Sequence, residues 1–324
     1  MYVGSDDGRF QAVNRLTGEA VWQRTIEGTT QGIHGSPAIT ADLVYIGAYN
    51  GTLYAFDRQT GDPAWEYQAG FQIGASPVVV PEHGRIYNTH EKSAQGGGLI
   101  VAVDARTGEE AWKYEIRAHP HSSVAIHRGK DLLFVGDNLA KVHAFDLTRG
   151  LKTWEVTLGA NEDGEESDIK TTPTVIESKN LVVVGAWSKQ VHAFDVDSGA
   201  LVWEYYAGAR IMGSTAYASG REAVYVGSLS PSSSVHAIDV NTGDELWATK
   251  LGGSVMSSPA VSGDESLVVV GCHDGNLYAL DADDGSVVWQ VRVGGVVSGS
   301  PALVGNHVYI TARSGDLVAF ETGM

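Results

Sequence analysis

The feature that most constrains the fold is a nine-residue pattern, Asp-x-x-x-Gly-x-x-x-Trp, which recurs along the chain with unchanged internal spacing. An Asp side chain accepts hydrogen bonds from backbone amides two residues on, and Gly adopts positive φ without steric cost. Each copy therefore predicts a tight turn followed by a strand that carries one large aromatic residue. The six full copies are Asp57/Gly61/Trp65, Asp104/Gly108/Trp112, Asp146/Gly150/Trp154, Asp195/Gly199/Trp203, Asp239/Gly243/Trp247 and Asp281/Gly285/Trp289.

Two further copies are incomplete. Asn14/Gly18/Trp22 has Asn in place of Asp, and an eighth copy begins at residues 318–321 without reaching a tryptophan. Successive tryptophans lie 42 to 49 residues apart, and each repeat contains up to four short runs typical of strands. A period in the forties with four strands per repeat is the signature of propeller blades.

The strand count predicts how many blades there are. Repeats two to seven have four strand-like runs, whereas the first repeat lacks its first strand and the eighth lacks its fourth. We therefore predict an all-β, eight-bladed propeller of four-stranded antiparallel blades with incomplete terminal blades. Residues 1–324 are expected to form a single domain.

The segments LYAFDRQTGDPAW and LYALDADDGSVVW, with the strand openings GSPA and SSPA, resemble the pyrroloquinoline-quinone-type (PQQ-like) β-propeller repeat family over the whole chain. The family contains quinoprotein dehydrogenases. It also contains non-enzymatic scaffolds similar to the propeller lipoprotein of the outer-membrane assembly machine. The resemblance implies that the repeated tryptophans dock between adjacent blades, which assigns a structural role to Trp22, Trp65, Trp112, Trp154, Trp203, Trp247 and Trp289.

Composition narrows the classes of partner. The net charge is −17, with 22 Lys and Arg against 39 Asp and Glu, which argues against nucleic-acid binding. An acidic, Lys-poor surface favours solubility in high salt and predicts a halophilic source, with an ordinary acidic surface as the alternative. No apolar run is long enough for a transmembrane helix. Cys272 is the single cysteine, so it cannot form an intrachain disulfide, and we predict that it is a small buried residue.

The first residues match the second strand of other repeats, since Met1-Tyr2-Val3-Gly4 resembles the segments at 44–47 and 224–227. We expect the natural chain to be longer, because no signal-peptide pattern precedes this strand. The family resemblance favours an extracytoplasmic or cell-surface location. Two loops also differ from the repeat. The polar, Gly-rich sequence of residues 89–98 predicts a flexible insertion. The acidic sequence of residues 159–170 predicts a solvated loop that lacks the ligand spacing of an EF-hand.

The candidate site lies where the repeats diverge. In a propeller, the loop entering the first strand of each blade and the loop between strands two and three meet at one mouth of the central funnel. The second set of loops contributes Tyr49, His90, Glu91, Trp187, His273 and Arg313. We predict a binding site of aromatic and cationic groups suited to an acidic or planar ligand. Its residues are His34, Gln72, His119, His121, Asp168, Lys170, Trp187 and Arg210. The alternative is that these are ordinary solvated residues.

The remaining histidines predict no metal site. His143, His192 and His236 occupy the repeat position of Tyr54 and Tyr278, which indicates packing residues. His119, His121 and His127 lie close in sequence, but the intervening proline restricts them and no carboxylate follows at ligand spacing. We also find no nucleophile elbow, P-loop or dinucleotide motif, so no catalytic residue is predicted.

Three functions remain open. The first is a non-catalytic, monomeric binding or scaffold propeller with a protein or cell-surface partner and no cofactor. The second is a quinoprotein oxidoreductase that binds PQQ and Ca²⁺. The resemblance implies that such an enzyme carries adjacent cysteines and an Asp/Glu/Asn calcium set, from which the lone Cys272 and the lone Asp168 depart. The third is the sensor propeller of a larger receptor. We favour the first.

Overall fold

The computed structural model describes residues 1–29, 31–92, 96–159 and 168–322. Most of the predicted acidic loop, residues 160–167, and the centre of the predicted insertion, residues 93–95, lie outside the described residues.

The chain has an all-β, eight-bladed propeller fold, which confirms the predicted fold class. Six antiparallel sheets have four strands, and the first and last sheets have three. Among the described residues, helical structure is confined to three 3₁₀ turns at Pro81–His83, Arg128–Lys130 and Glu177–Lys179. The described part of the chain therefore contains no helix long and apolar enough to cross a membrane.

The strands follow one another in chain order within every blade. Blades 1 to 4 contain β1 (Tyr2–Gly4), β2 (Arg9–Val13), β3 (Ala20–Thr25); β4 (Ala38–Ile39), β5 (Leu43–Gly47), β6 (Thr52–Asp57), β7 (Pro63–Gln68); β8 (Val78–Val80), β9 (Arg85–Glu91), β10 (Gly98–Asp104), β11 (Glu110–Ile116); β12 (Ala125–His127), β13 (Leu132–Gly136), β14 (Lys141–Asp146) and β15 (Lys152–Thr157).

Blades 5 to 8 contain β16 (Thr174–Ile176), β17 (Leu181–Gly185), β18 (Gln190–Asp195), β19 (Leu201–Tyr206); β20 (Ala216–Ala218), β21 (Ala223–Gly227), β22 (Ser234–Asp239), β23 (Glu245–Lys250); β24 (Ala260–Val261), β25 (Leu267–Gly271), β26 (Asn276–Asp281), β27 (Val287–Arg292); β28 (Ala302–Val304), β29 (His307–Thr311) and β30 (Leu317–Glu321).

The chain divides into two compact units. Unit 1 comprises Met1–Asn138 and His143–Thr153, and unit 2 comprises Leu139–Val142 and Trp154–Met324. Within each unit, hydrophobic clusters fill the interfaces between successive blades. In unit 1, for example, Phe10 of blade 1 packs with Val44 and Phe56 of blade 2. In unit 2, Tyr225 of blade 6 packs with Leu280 of blade 7.

The repeated turn explains the spacing of the sequence motif. The Oδ1 atom of Asp57 accepts hydrogen bonds from the amides of Gln59 and Thr60, both at 2.8 Å. Gly61 then has a φ of +73°, where a side chain would be strained. The strand that follows places Trp65 opposite Ala55 of the preceding strand, with a register shift immediately after this pair.

The six repeated glycines from Gly61 to Gly285 also lie against the tryptophan of the preceding blade. A Cβ atom on Gly61 would come within 2.6 Å of the Trp22 ring. The indole Nε1 of Trp22 donates a hydrogen bond of 3.1 Å to the carbonyl of Arg58 in the same turn. Equivalent ring contacts join Trp65 to Gly108, Trp112 to Gly150, Trp154 to Gly199, Trp203 to Gly243 and Trp247 to Gly285. Substituting such a glycine therefore disturbs both a turn and a contact between blades.

A second set of contacts between blades comes from the strand openings. In unit 1, the amide of Ser36 donates to the Oγ of Ser76, and the amide of Ser76 donates to the Oγ of Ser123, both at 2.8 Å. Unit 2 has three such bonds at 2.9 Å, formed by Thr172 with Ser214, Ser214 with Ser258, and Ser258 with Ser300. The Ser-Pro openings, which the sequence identified only as strand starts, thus link neighbouring blades.

One predicted loop is wrong in its bounds. Residues 89–98 were predicted as a flexible insertion, but β9 continues to Glu91 and β10 begins at Gly98, with Gly98 paired to Glu91. Within this longer hairpin, the Thr89 hydroxyl donates a buried hydrogen bond of 2.9 Å to the carbonyl of Ser122. The burial predicted for Cys272 is confirmed, since its side chain is fully buried, and desolvation raises the pKa of its thiol to about 11.

Candidate binding site

In blades 2 to 8, one backbone hydrogen bond joins the loop that enters the first strand to the end of the second strand. The donor lies 17 to 19 residues after the acceptor, and the N–O distances run from 2.8 to 3.1 Å. The pairs are Tyr49 with Gly32, Glu91 with Gln72, Asn138 with His119, Trp187 with Asp168, Leu229 with Arg210, His273 with Ser254, and Arg313 with Val296. The bond places these residues at equivalent positions, while their side chains differ from blade to blade.

In unit 2, four predicted residues form what we call the Trp187 cluster: Asp168, Lys170, Trp187 and Arg210. The Nζ atom of Lys170 lies 4.1 Å from the centroid of the Trp187 ring. The Cζ atom of Arg210 lies 4.9 Å from the same centroid. Both distances fall within the range of cation–π interactions, so the indole ring holds two cations in place.

The Trp187 cluster is partly open to solvent. Arg210 is exposed and Trp187 is half-buried. The Lys170 side chain is 28% exposed, and its Nζ lies 3.5 Å from a carboxylate oxygen of Asp168. The side chains of Lys170, Arg210 and Asp168 sum to a formal charge of +1, whereas the net charge of the whole protein is −17. Such an arrangement can accept a carboxylate or the face of an aromatic group.

In unit 1, the equivalent positions form a different group, which we call the Glu91 cluster: His34, Tyr49, Glu91, His119 and His121. The Glu91 side chain is only 11% exposed, and its Oε1 lies 3.2 Å from Nδ1 of His121. The rings of His121 and His119 stack with centroids 5.7 Å apart. This cluster therefore pairs imidazoles with a nearly buried carboxylate.

Tyr49 lies between His34, whose ring packs against it, and Glu91, whose carboxylate ends near the Tyr49 hydroxyl. A Cβ atom on Gly74 would lie 2.8 Å from the Tyr49 hydroxyl and 3.4 Å from Oε1 of Glu91, so both side chains end next to this glycine. Burial raises the pKa of Tyr49, and the charges of Glu91 and Asp6 raise it further. His34 packs against the Tyr49 ring with centroids 4.5 Å apart, and its Nε2 lies 3.5 Å from Asp6.

The eight predicted site residues divide equally between the two units. His34, Gln72, His119 and His121 belong to unit 1, whereas Asp168, Lys170, Trp187 and Arg210 belong to unit 2. Gln72 contributes its backbone carbonyl to Glu91. Asn138 was missed by sequence reasoning, although it follows His119 by the same 19 residues that separate Trp187 from Asp168. Its Oδ1 accepts a 2.8 Å hydrogen bond from the amide of His119.

The placement of His90 among the loop residues is wrong. His90 lies on β9 and is fully buried, with its ring edge-on to Tyr67 at 6.1 Å. It precedes Glu91 as Ala48 precedes Tyr49, so its position belongs to the blade interior and Glu91 occupies the loop position. Desolvation lowers the pKa of His90 to about 3, which keeps the imidazole neutral.

The three repeat histidines are buried. His143 lies 2.8 Å from a buried carboxylate oxygen of Asp137. His236 lies between the Tyr205 hydroxyl at 2.9 Å and the Ser228 hydroxyl at 3.0 Å. Burial lowers the pKa of His192 and of His236 to about 4. These imidazoles are interior polar groups without access to a ligand.

Among the described residues, the side chains do not form the calcium-binding set that the repeat resemblance implies for quinoprotein dehydrogenases. Within the described ranges, no group of three or more His, Cys, Asp or Glu side chains is arranged to hold a metal ion. His127 is buried on β12, whereas His119 and His121 stack in the preceding loop. The resemblance also implies a disulfide between adjacent cysteines beneath the quinone, and Cys272, the single cysteine of this sequence, cannot form it.

The fold and its divergent loop pairs define a β-propeller built from PQQ-like repeats. The chain belongs to the family of the outer membrane protein assembly factor BamB, whose family model matches residues 6–204 and 187–323. This confirms the resemblance found in the sequence. No curated protein matches the sequence.

Solved structures support the fold. BamB from Moraxella catarrhalis is similar over 99% of this chain and 93% of its own, with a TM-score of 0.79 and 20% identity. A quinohemoprotein alcohol dehydrogenase from Comamonas testosteroni is similar over 96% of this chain and 68% of its own, with a TM-score of 0.77 and 15% identity. The computationally designed Ika8 protein has a TM-score of 0.78 and 19% identity over 99% of this chain and 92% of its own.

Proposed function

We propose that this protein is a non-catalytic binding propeller that holds a protein partner through the Trp187 cluster. The observation that carries the proposal is the pair of cations over one half-buried indole ring. The repeats account for most other large side chains as packing. The Trp187 cluster instead combines aromatic and cationic groups at a position where the blades differ.

The chemistry of the cluster favours an acidic or aromatic element of the partner. A carboxylate can bind the Arg210 guanidinium in a bidentate manner, and an aromatic ring can stack on it. The surrounding surface is acidic, so the attraction is local and short-ranged. Association should therefore depend on salt concentration.

Family membership supports the kind of partner and the location. The family is described as that of an outer membrane protein assembly factor. We extend this to the present chain as a proposal: it acts as an extracytoplasmic scaffold with a protein partner. No cofactor is needed for such a role.

A co-purification experiment with charge-reversed variants tests the proposal. Lys170→Glu combined with Arg210→Glu should abolish recovery of the partner that co-purifies with the wild type. The matched control is Lys250→Glu combined with Arg292→Glu, which makes the same change at exposed positions of outer strands in unit 2. Equal recovery with the Lys170/Arg210 variant and the wild type would contradict the proposed site.

The second candidate function is a quinoprotein oxidoreductase, favoured by the fold likeness to quinohemoprotein alcohol dehydrogenases. Incubation of the purified protein with PQQ and Ca²⁺, followed by absorbance, melting temperature and dye reduction, separates the two functions. A binding propeller should leave all three unchanged. Dye reduction that depends on the quinone would replace the binding proposal with an enzymatic one.

A further inference from the structure

The Glu91 carboxylate is nearly buried, and no basic side chain of the described residues neutralises it. Its side chain is only 11% exposed, and its Oε1 atom lies 3.2 Å from Nδ1 of His121. Among the residues that the structure describes, no lysine or arginine forms an ion pair with this carboxylate. Burying a carboxylate costs free energy unless hydrogen bonds or a cation replace the water that it loses. The fold of unit 1 therefore keeps a negative group whose charge calls for a positive ligand.

The hydroxyl of Tyr49 lies next to this carboxylate and has no hydrogen-bond partner among the described residues. The point where a Cβ atom of Gly74 would stand is 2.8 Å from this hydroxyl and 3.4 Å from Oε1 of Glu91. Gly74 has no side chain to occupy that point. Two oxygen groups of different loops therefore converge on the same small space.

The electrostatics of this space favour a positive charge. Burial raises the pKa of Tyr49, and the negative charges of Glu91 and Asp6 raise it further. The same negative potential that keeps the proton on the phenol attracts a cation. Asp6 lies on the side of His34, whose Nε2 is 3.5 Å from its carboxylate. A cation next to the Tyr49 hydroxyl would thus be attracted by two carboxylates.

Flat rings accompany the two oxygen groups. The His34 ring packs against the Tyr49 ring with centroids 4.5 Å apart, and the rings of His119 and His121 stack at 5.7 Å. The face of a tyrosine ring attracts organic cations, and imidazole rings present an apolar body to an alkyl chain. The described residues contain no group of three or more His, Cys, Asp or Glu side chains arranged around a metal ion. The composition therefore favours an organic cation.

We propose that the Glu91 cluster is a second binding site, which takes the side chain of a lysine from a protein ligand. An ammonium group has three donors, so it can bond to the Glu91 carboxylate and to the Tyr49 hydroxyl oxygen at once. The rings contact the alkyl chain, and the net charge of −17 draws a basic ligand to the protein. This site shares no residue with the Trp187 cluster, so the two proposals fail independently.

A lysine analogue tests the chemistry of the site. The probe is Nα-acetyl-lysine amide, titrated into the full chain with EDTA present and followed by NMR of the backbone amides. Saturable shifts are expected at Gly74 and Glu91. The trimethyl-lysine analogue keeps the charge but lacks N–H donors, and the norleucine analogue lacks the charge. Both should bind about tenfold more weakly or worse. No saturable shift at these amides, or equal affinity for either control analogue, would overturn the proposal.

Variants of the protein locate the site. Glu91→Gln removes the charge with little change of shape and should weaken binding about tenfold or more. Tyr49→Phe removes only the hydroxyl and should weaken binding about fivefold. The matched control is Glu66→Gln, which makes the same charge change at an exposed position of β7 and should bind as the wild type does.

Circular dichroism verifies that each variant is folded, and Tyr49→Phe tests the site without changing a charge. Wild-type affinity in either Glu91→Gln or Tyr49→Phe would contradict the assignment. An equal loss of affinity in Glu66→Gln and Glu91→Gln would show that the lysine analogue responds only to the net charge, which would also overturn it.

A divalent metal ion is the competing occupant, since Glu91, His119 and His121 have side chains of the kinds that bind zinc. Titration of Zn²⁺ without EDTA, followed at the same amides, distinguishes the two. No shift at an equimolar amount of Zn²⁺ is expected, together with saturable binding of the lysine analogue. Equimolar Zn²⁺ binding at these amides, without binding of the analogue, would assign the cluster to a metal and overturn the proposal.

Discussion

The Trp187 cluster and the Glu91 cluster share an equivalent backbone hydrogen bond, but their side chains differ in charge and in chemical type. In both, a residue at the end of the second strand donates to a carbonyl in the entering loop, at 3.0 Å for Trp187 and 2.8 Å for Glu91. The first cluster holds two cations against an indole ring, and the second holds an imidazole against a carboxylate. The blade scaffold therefore fixes where these side chains lie without determining what they bind.

The repeated tryptophans and Trp187 differ in the same way: the former contact neighbouring blades, and the latter lies in the proposed binding site. Six repeated tryptophans, from Trp22 to Trp247, donate a hydrogen bond to a carbonyl in the turn of the next blade, whereas Trp187 lies at a loop position with cations over its ring. Single substitutions in the two groups of residues test this difference.

Replacing an interior tryptophan should destabilise the protein far more than replacing Trp187. Trp203 is 6% exposed, and its Nε1 donates 2.8 Å to the carbonyl of Val240. Trp203→Ala should therefore cost about 3–5 kcal/mol of unfolding free energy. Trp187→Ala should cost no more than about 2 kcal/mol, because its ring is only half-buried. Denaturant unfolding measures both, and equal losses would remove the distinction.

The two clusters should also differ when one charged group is removed from each. Glu91→Ala leaves His121 without its nearly buried carboxylate partner, at an expected cost of about 1–3 kcal/mol. Lys170→Ala removes a more exposed group and should cost less than about 1 kcal/mol. Thermal unfolding of both variants provides the comparison. A larger loss for Lys170→Ala would show that the Trp187 cluster is part of the structural core.

Buried His90 next to the Glu91 cluster should make the fold acid-sensitive. Burial lowers the pKa of His90 from 6.5 to about 3, so the unfolded chain takes up a proton first as pH falls. Its contribution to stability is complete above pH 6.5 and decreases towards pH 3. One such group changes the free energy of unfolding by up to about 1.4 kcal/mol per pH unit. His90→Ala should therefore unfold with a shallower pH dependence between these limits, and parallel curves would contradict this.

Salt should have the smallest and most general effect. With a net charge of −17, self-repulsion weakens as ions screen it over a Debye length of about 10 Å at 0.1 M. The melting temperature should rise by a few degrees between dilute buffer and molar salt. A flat or falling melting temperature would remove the argument for a halophilic source.

The repeated motif was sufficient to predict the blades. Local chemistry determines the turn at Asp57 and Gly61 and the position of Trp65, so these features can be predicted from spacing alone. The serine bonds between blades could not be predicted, because Ser36 and Ser76 meet only after the blades pack together.

Loop positions could be predicted where the repeat fixes them but not where strand length changed, and that these residues form a binding site stays a prediction. The backbone bonds show that His119 and Asp168 occupy equivalent positions in the entering loops, as their spacing indicated. His90 was misplaced because the extended β9 shifts the loop position by one residue, to Glu91. The contact of Arg210 with Trp187 joins two blades, and no local pattern in the sequence specifies it.

Site-specific photo-crosslinking tests the central claim most directly. A photoreactive phenylalanine in place of Leu229, bonded to Arg210 through the backbone, samples the Trp187 cluster. The same residue in place of Leu246, which is 50% exposed on an outer strand, samples the blade edge. We expect the co-purifying partner to form adducts from position 229 and not from position 246. Adducts from position 246 alone would show that the partner binds the outer edges of the blades and would contradict this expectation.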